Sequence, residues 1–158
     1  MKPVTVSIDV PQPREAVYDY LDLMANHEPF NDHLMQDWRF AGPARGVGSR
    51  ATVKAIVAGR AETVEIEVIE AEPPVKSVER NIGAHGKRVG TGTYTLADLP
   101  DGGTRVTFTY AWQQAPWNER LAEPIVRGIA RRGFERSMHR LAEQLRTAKA
   151  DELGSFHA

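Results

Sequence analysis

No cysteine occurs among the 158 residues, which excludes a disulfide framework, a thiolate zinc site and a cysteine nucleophile. Charge of one sign is not in excess either. Twenty basic side chains stand against 21 acidic ones, a formal net charge of −1, so the overall attraction behind non-specific nucleic-acid binding is missing and no nucleic-acid partner is expected. No window approaches the roughly 18 consecutive apolar residues of a membrane-crossing helix. Met1-Lys2-Pro3-Val4 runs directly into strand-like alternation, with no signal peptide. The expectation is a cytoplasmic protein without a membrane span. Internal repeats, low-complexity tracts and interdomain linkers are also lacking. What remains, 41% hydrophobic and 26% charged, is an ordinary globular composition. It implies one domain over residues 1–148 and a flexible tail over 149–158, where Gly154 and Ser155 break the pattern.

Val4, Val6, Ile8 and Val10 alternate with polar residues, the period of a strand with one buried face. After Pro11 and Pro13 the period changes: Val17, Tyr20, Leu21 and Met24 fall on one face of a short helix. A second short helix is expected over 27–35. From Trp38 to Trp112 the period of two returns in six segments, near 37–42, 49–58, 61–71, 75–83, 88–97 and 104–113. Gly42-Pro43, Gly59, Pro73-Pro74, the Gly83–Gly86 stretch and Asp101-Gly102-Gly103 separate them, connections with turn chemistry and too short for crossover helices. One long amphipathic helix over about 118–148 closes the chain. The pattern is α+β: a seven-stranded curved antiparallel sheet wrapped around a long C-terminal helix, with two short helices after the first strand.

Alternation assigns an interior. Val106, Phe108, Tyr110 and Trp112 turn inward against Arg105, Thr107 and Thr109; Trp38 and Phe40, Val64, Ile66 and Val68, and Tyr94 and Leu96 do the same on their strands. Tyr and Trp combine apolar bodies with hydrogen-bonding groups, which suits a site for a mostly apolar ligand as well as a filled core. Arg80, in phase with Val78 and Ile82, would point its guanidinium inward toward a ligand carboxylate or enolate, or an internal acid, unless a bulge swings it to the rim. On the closing helix Gly133 and Ser137 lie between Ile129 and Leu141 on the apolar stripe, a gap that hints at a cavity. The candidate ligand-binding set is therefore Trp38, Phe40, Arg80, Tyr94, Phe108, Tyr110, Trp112, Gly133 and Ser137.

No catalytic set is assembled. His27 and His33 are six apart, which matches no metal-ligand spacing and places both on the surface; no metal and no cofactor are expected. His85 falls in a turn and His139 off the stripe. Tyr94, Tyr110 or His85 could serve as a general acid or base, but no nucleophile and oxyanion donor accompany them. Gly46-Val47-Gly48 and Gly90-Thr91-Gly92 open no helix, so they mark close backbone packing or bulges. Arg127, Arg131, Arg132, Arg136 and Arg140, interleaved with Glu123, Glu135 and Glu143, read as a solvated, ion-paired face, with contact to anionic lipid headgroups or an acidic partner as the alternative.

The strand Val4 to Val10, the stretch from Pro13 to Leu21, Gly46-Val47-Gly48, Gly92-Thr93-Tyr94 and the final strand-to-helix run resemble the SRPBCC superfamily over about residues 2 to 147. That group includes START-like lipid-transfer proteins, pollen-allergen-like ligand binders and polyketide cyclase/dehydrase-like proteins. The resemblance implies a helix-grip fold with a cavity between the sheet and the C-terminal helix, and carries no catalytic residue over. Three functions stay open: binding or transport of a hydrophobic small molecule (a lipid, polyketide or aromatic metabolite); a polyketide cyclase, aromatase or dehydratase-like enzyme; and a co-chaperone-like interaction module. The expected partner is the small-molecule ligand, with membrane-surface contact and a monomer or homodimer left open.

Overall fold

The computed structural model describes residues 1–57 and 59–157, with side chains from 149 onward outside the description. Its order is β1 (Val4–Val10), α1 (Arg14–Asp22), a short 3-10 turn (Met24–Asn26), α2 (His27–Asn31), β2 (Met35–Ala41), β3 (Arg50–Val57), β4 (Arg60–Glu72), β5 (Lys76–Gly83), β6 (Arg88–Asp98), β7 (Thr104–Gln114), α3 (Trp117–Leu121) and α4 (Glu123–His157). All neighbouring strands are antiparallel, in the order β1-β7-β6-β5-β4-β3-β2. This is the expected α+β, helix-grip-like architecture.

Hairpins β2 to β7 follow from the alternation and the turns between them, and β1 joins last, alongside β7, from Val4 opposite Tyr110 to Val10 opposite Thr104. The outer face of that pair is polar and self-satisfied: Thr5 and Thr109 hydroxyls lie 3.1 Å apart, Ser7 and Thr107 hydroxyls 3.0 Å apart.

The closing helix is not continuous. Ala122 leaves helical geometry (φ −100°, ψ 24°), and α4 restarts at Glu123. Pro124 explains the restart, because it has no N–H to donate and is tolerated only in a first turn. α4 lies on β1 and α2. It buries Met138, Leu141 and Leu145, each worth about 1.5–3 kcal/mol on removal from water. Ile129, expected on the inner stripe, faces solvent instead, as does Ile125 one turn before it. The inner line runs through Phe134, Ser137, Met138, Leu141 and Leu145, rotated from the one that starts at Ile129. The helix continues to His157; the side chains on which the expected tail over 149–158 falls lie outside the described residues.

Two separate apolar clusters make the interior. One joins β1, β6 and β7 to α1, Phe30 and α4, around Val4, Val106, Phe108 and Leu141; the other joins Met24 to Ala51, Val53, Val64, Ile66 and Val68 of β3 and β4. β5 runs between them, and it belongs to neither.

Candidate functional site

Glycine makes room for the aromatic wall on β7. A Cβ at Gly90 would stand 2.3 Å from the Tyr110 hydroxyl, and one at Gly92 would stand 2.8 Å from Phe108. Any side chain at either position would displace a ring. Phe108 packs edge-on against Phe134 of α4 at 5.1 Å and tilted against Tyr94 at 4.8 Å, while Trp112 meets Tyr110 edge-on at 4.9 Å. Tyr94, Phe108 and Tyr110 are buried and Trp112 is half-buried, so these four sequence-selected residues do come together. The strings at Gly90 and Gly92 are close-packing sites, as expected.

Arg80 does not join them. Cross-strand partners share a face, and Glu79 pairs with Gly92, Ser77 with Tyr94, so the inward residues of β5 are Ser77, Glu79 and Asn81. Arg80, opposite Glu67, lies on the outer face and forms a 3.3 Å exposed ion pair with that residue. It does share a face with Val78 and Ile82, but that face is the convex one. Aliphatic side chains in mid-sheet gain cover from their strand neighbours, so they do not mark the core face by themselves.

The inward partner is instead Glu79, 7% exposed. Burial pushes its carboxyl from the ordinary 4.5 up to about 8, so it is protonated at neutral pH. Its Oε2 lies 3.8 Å from Nδ1 of His27. His27 is buried, contrary to the expected surface placement; its Nε2 donates to the Leu21 carbonyl at 2.7 Å, leaving the Nδ1 lone pair toward Glu79. Burial, partly offset by that bond, also lowers the imidazole pKa, so the ring is neutral beside a neutral acid. The ring stands edge-on to Tyr94 at 5.6 Å. The Tyr94 phenol is held well above its usual range by burial and by Glu79, against a hydrogen bond with Asn31.

From Asn31 the polar chain continues to α4. Ser137 Oγ donates its one proton to Asn31 Oδ1 at 2.8 Å, with the Gly133 carbonyl 3.1 Å away as the alternative acceptor. His33, also expected on the surface, is half-buried: its Nε2 meets the same carbonyl at 3.0 Å, and Arg140 donates to its Nδ1 at 2.9 Å. Gly133 faces Leu34, whose Cδ2 would be 2.8 Å from an added Cβ. The small pair therefore seats α2 and the loop after it against α4 and does not open a gap; Leu34 fills the space that the sequence left empty.

Toward the other end of β5, Asn81 Oδ1 is buried with no hydrogen-bond partner. Beyond it Arg88 is clamped between Glu62 and Glu119, with Nε donating to Glu119 at 3.0 Å. Tyr110 is pushed to about 12 by burial, with this charged group and Glu79 acting on it. A polar seam thus runs along the inner face of β5, from His27 and Glu79 past Asn81 to Arg88. The phase of Glu65 and Glu67 could have revealed Glu79, since their cross-strand partners Ile82 and Arg80 must face outward with them. Nothing local marked His27, Asn31 or Leu34.

Trp38 and Phe40 lie away from the seam. They face inward on β2, stacked at 6.0 Å, but β2 is an edge strand bulged at Asp37 (φ 53°) with no strand paired beyond it among the described residues. Trp38 packs half-buried on the second cluster, and Phe40 remains 46% exposed, lining a 220 Å³ apolar cavity with Leu23, Met24 and Pro43. Arg132, Glu135, Arg136, His139, Arg140 and Glu143 share an open, polar outer face of α4; where the sequence hinted at a gap beside Gly133, Leu34 packs against it, and Phe134 packs on Phe108 and Tyr110. Among the described residues no group of three or more His, Cys, Asp or Glu side chains could hold a metal ion.

The arginines of α4 differ from an ion-paired face as well. Arg127 donates to the Lys2 and Pro3 carbonyls and Arg131 to the Thr5 carbonyl, fastening the helix to β1, while Arg140 pairs with Asp32 at 2.5 Å.

A family described as polyketide cyclase / dehydrase and lipid transport matches residues 1–146. No curated protein matches the chain. Among solved structures, TTHA0849 from Thermus thermophilus is 18% identical, with 93% of this chain and 99% of that chain covered at a TM-score of 0.72. MLL2253 from Mesorhizobium loti is 21% identical, covering 93% and 98% at 0.67. DynU16, a protein of the dynemicin biosynthetic locus, is 20% identical over 94% of this chain and 48% of that one at 0.64. At these identities the likeness establishes the fold.

Proposed function

Because the chain belongs to the polyketide cyclase / dehydrase and lipid transport family, of the SRPBCC type that its sequence resembles, we propose that it binds a hydrophobic small molecule. The ligand is a lipid, polyketide or aromatic metabolite with a carbonyl or hydroxyl group, held along the inner face of β5 for storage or transport. The observation that carries this reading is the seam itself. Glu79 and Asn81 place polar atoms between two apolar clusters, one of them without a protein partner, where a core built for stability alone would hold aliphatic side chains. A molecule lying there adds apolar surface to both clusters, donates a hydroxyl proton to Asn81 Oδ1 and accepts from the neutral Glu79 acid. Arg80 is outside and Arg88 is taken by two carboxylates, so a neutral polar group suits the seam better than the carboxylate the sequence suggested.

The absence of cysteine supports a cytoplasmic setting, and no helix among the described residues is long and apolar enough to cross a membrane. We take the active species as a monomer or homodimer, which light scattering reads directly. Native mass spectrometry of the purified protein tests the binding reading, with Nile red titration as a probe of the emptied protein. An unmodified apolar compound at one per chain is expected; a protein that carries nothing and takes up no Nile red is not such a binder.

Glu79 favours a second reading, a dehydratase-like or cyclase-like enzyme. A carboxyl that titrates near 8 can protonate a leaving hydroxyl as its C–O bond breaks, releasing water, and the resulting carboxylate can take the proton from the adjacent carbon. Turnover of a β-hydroxyketone, followed by loss of its hydroxyl as water and abolished in Glu79→Gln, would put the enzyme first.

A further inference from the structure

Four large apolar side chains recur at every fourth residue across the junction of α3 and α4, and none is covered. Trp117, Leu121, Ile125 and Ile129 are 69%, 78%, 67% and 63% exposed, and Gly128 beside them has open space where a Cβ would stand. Scattered single residues of this kind need no explanation, but two exposed pairs spaced one turn apart on abutting helices, Trp117 and Leu121 on α3 and Ile125 and Ile129 on α4, mark a contact surface.

The charges nearest this stripe are mostly basic, with Glu135 the exposed acid among them. Arg120, Arg132 and Arg136 are exposed, and within α4 Arg132 and Arg136 stand two turns beyond Ile125 and Ile129, on the same face. The other acids of this stretch are turned elsewhere: Glu119 accepts from Arg88, and Glu123 accepts from the Lys2 backbone N–H at 2.6 Å. Past Ile129 the open face of α4 carries Arg132, Arg136, His139 and Arg140 together with Glu135 and Glu143.

We infer that this face docks on a lipid bilayer carrying anionic headgroups, with the stripe entering the interface and Arg120, Arg132 and Arg136 reaching the phosphates. An apolar helix face with an aromatic residue at one end and arginines beside it has the composition of an interfacial helix, whose long basic side chains stay at headgroup level while the apolar ones enter. A second copy of the chain is the competing occupant. Pairing stripe against stripe, in either helix direction, would set arginines against arginines, so the charge favours the lipid. The inference goes beyond ligand binding in the seam and does not depend on it.

Co-sedimentation with phosphatidylcholine vesicles, with and without phosphatidylglycerol, tests it, together with tryptophan emission and light scattering. The wild-type protein is expected to pellet with the anionic vesicles, with a blue shift that is absent from Trp117→Ser, and to stay in solution with phosphatidylcholine alone. Ile125→Glu with Ile129→Glu should weaken this by about tenfold or more at unchanged circular dichroism; Ile125→Ser with Ile129→Ser serves if the acidic pair does not fold. Arg132→Glu with Arg136→Glu should remove the preference for the anionic lipid while the stripe stays intact. No pelleting of the wild type, pelleting unaffected by the stripe variants, or a dimer in solution that those variants dissociate would each overturn the inference, the last by giving the surface to a second copy.

Discussion

Replacing Glu79 with Gln should change how stability depends on pH, in a direction set by burial. In the folded protein the carboxyl titrates near 8 against an ordinary 4.5. Between those values the unfolded chain releases a proton that the folded chain retains, so wild-type stability falls as pH rises and levels off above about 8. At 1.36 kcal/mol per pH unit the whole span is worth about 5 kcal/mol, an upper bound. His27 acts in the opposite direction: its lowered pKa means the unfolded ring binds a proton first as pH falls below 6.5, which costs stability toward acid. Below 6.5 the two slopes oppose each other, and between 6.5 and 8 Glu79 acts alone, for about 2 kcal/mol. Urea denaturation of wild type and Glu79→Gln at half-unit pH steps reads the difference directly. The variant should gain on the wild type steadily through that upper interval. Parallel curves would refute the buried, neutral acid and with it the polar seam as a ligand site.

Gly90→Ala forces a Cβ to within 2.3 Å of the Tyr110 hydroxyl and should cost about 1–3 kcal/mol with a changed near-ultraviolet aromatic signal; an unperturbed thermal midpoint would mean the ring is not there. Ser137→Phe, which would occlude a cavity if one lay beside it, should instead destabilise by about 3 kcal/mol or more in chemical denaturation, because it drives into Asn31, breaks the 2.8 Å bond and meets close-packed neighbours. Arg80→Leu should leave Nile red binding unchanged and shift stability by less than about 1 kcal/mol, since only an exposed ion pair is lost; a tenfold loss of affinity would return Arg80 to the site.

The part of the site that could be read in advance was the aromatic wall. Phe108, Tyr110 and Trp112 alternate strictly with Arg105, Thr107 and Thr109, and β7 is a mid-sheet strand between β1 and β6 with one polar face, the case in which a period of two is unambiguous. β5 defeated the same rule. Its aliphatic residues Val78 and Ile82 lie on the outer face and its acid on the inner one, and only its pairing with the glutamates of β4 resolves the phase. The closing helix failed differently. Ile125 and Ile129 share a helical period with true core residues, yet the break at Ala122 and the fastening of Arg127 and Arg131 to β1 set which way the helix is turned.

Local periodicity and turn residues thus determined by themselves the succession of strands and the antiparallel sheet, because these depend on neighbours a few residues apart. What only the tertiary structure decided was which groups meet. Glu79 approaches His27 from 52 positions away, read from their numbers, Leu34 fills the notch at Gly133, and Ser137 bonds Asn31 across 106 positions. Such encounters follow from register and helix rotation. These are set by packing over the whole chain, and no window of residues records them.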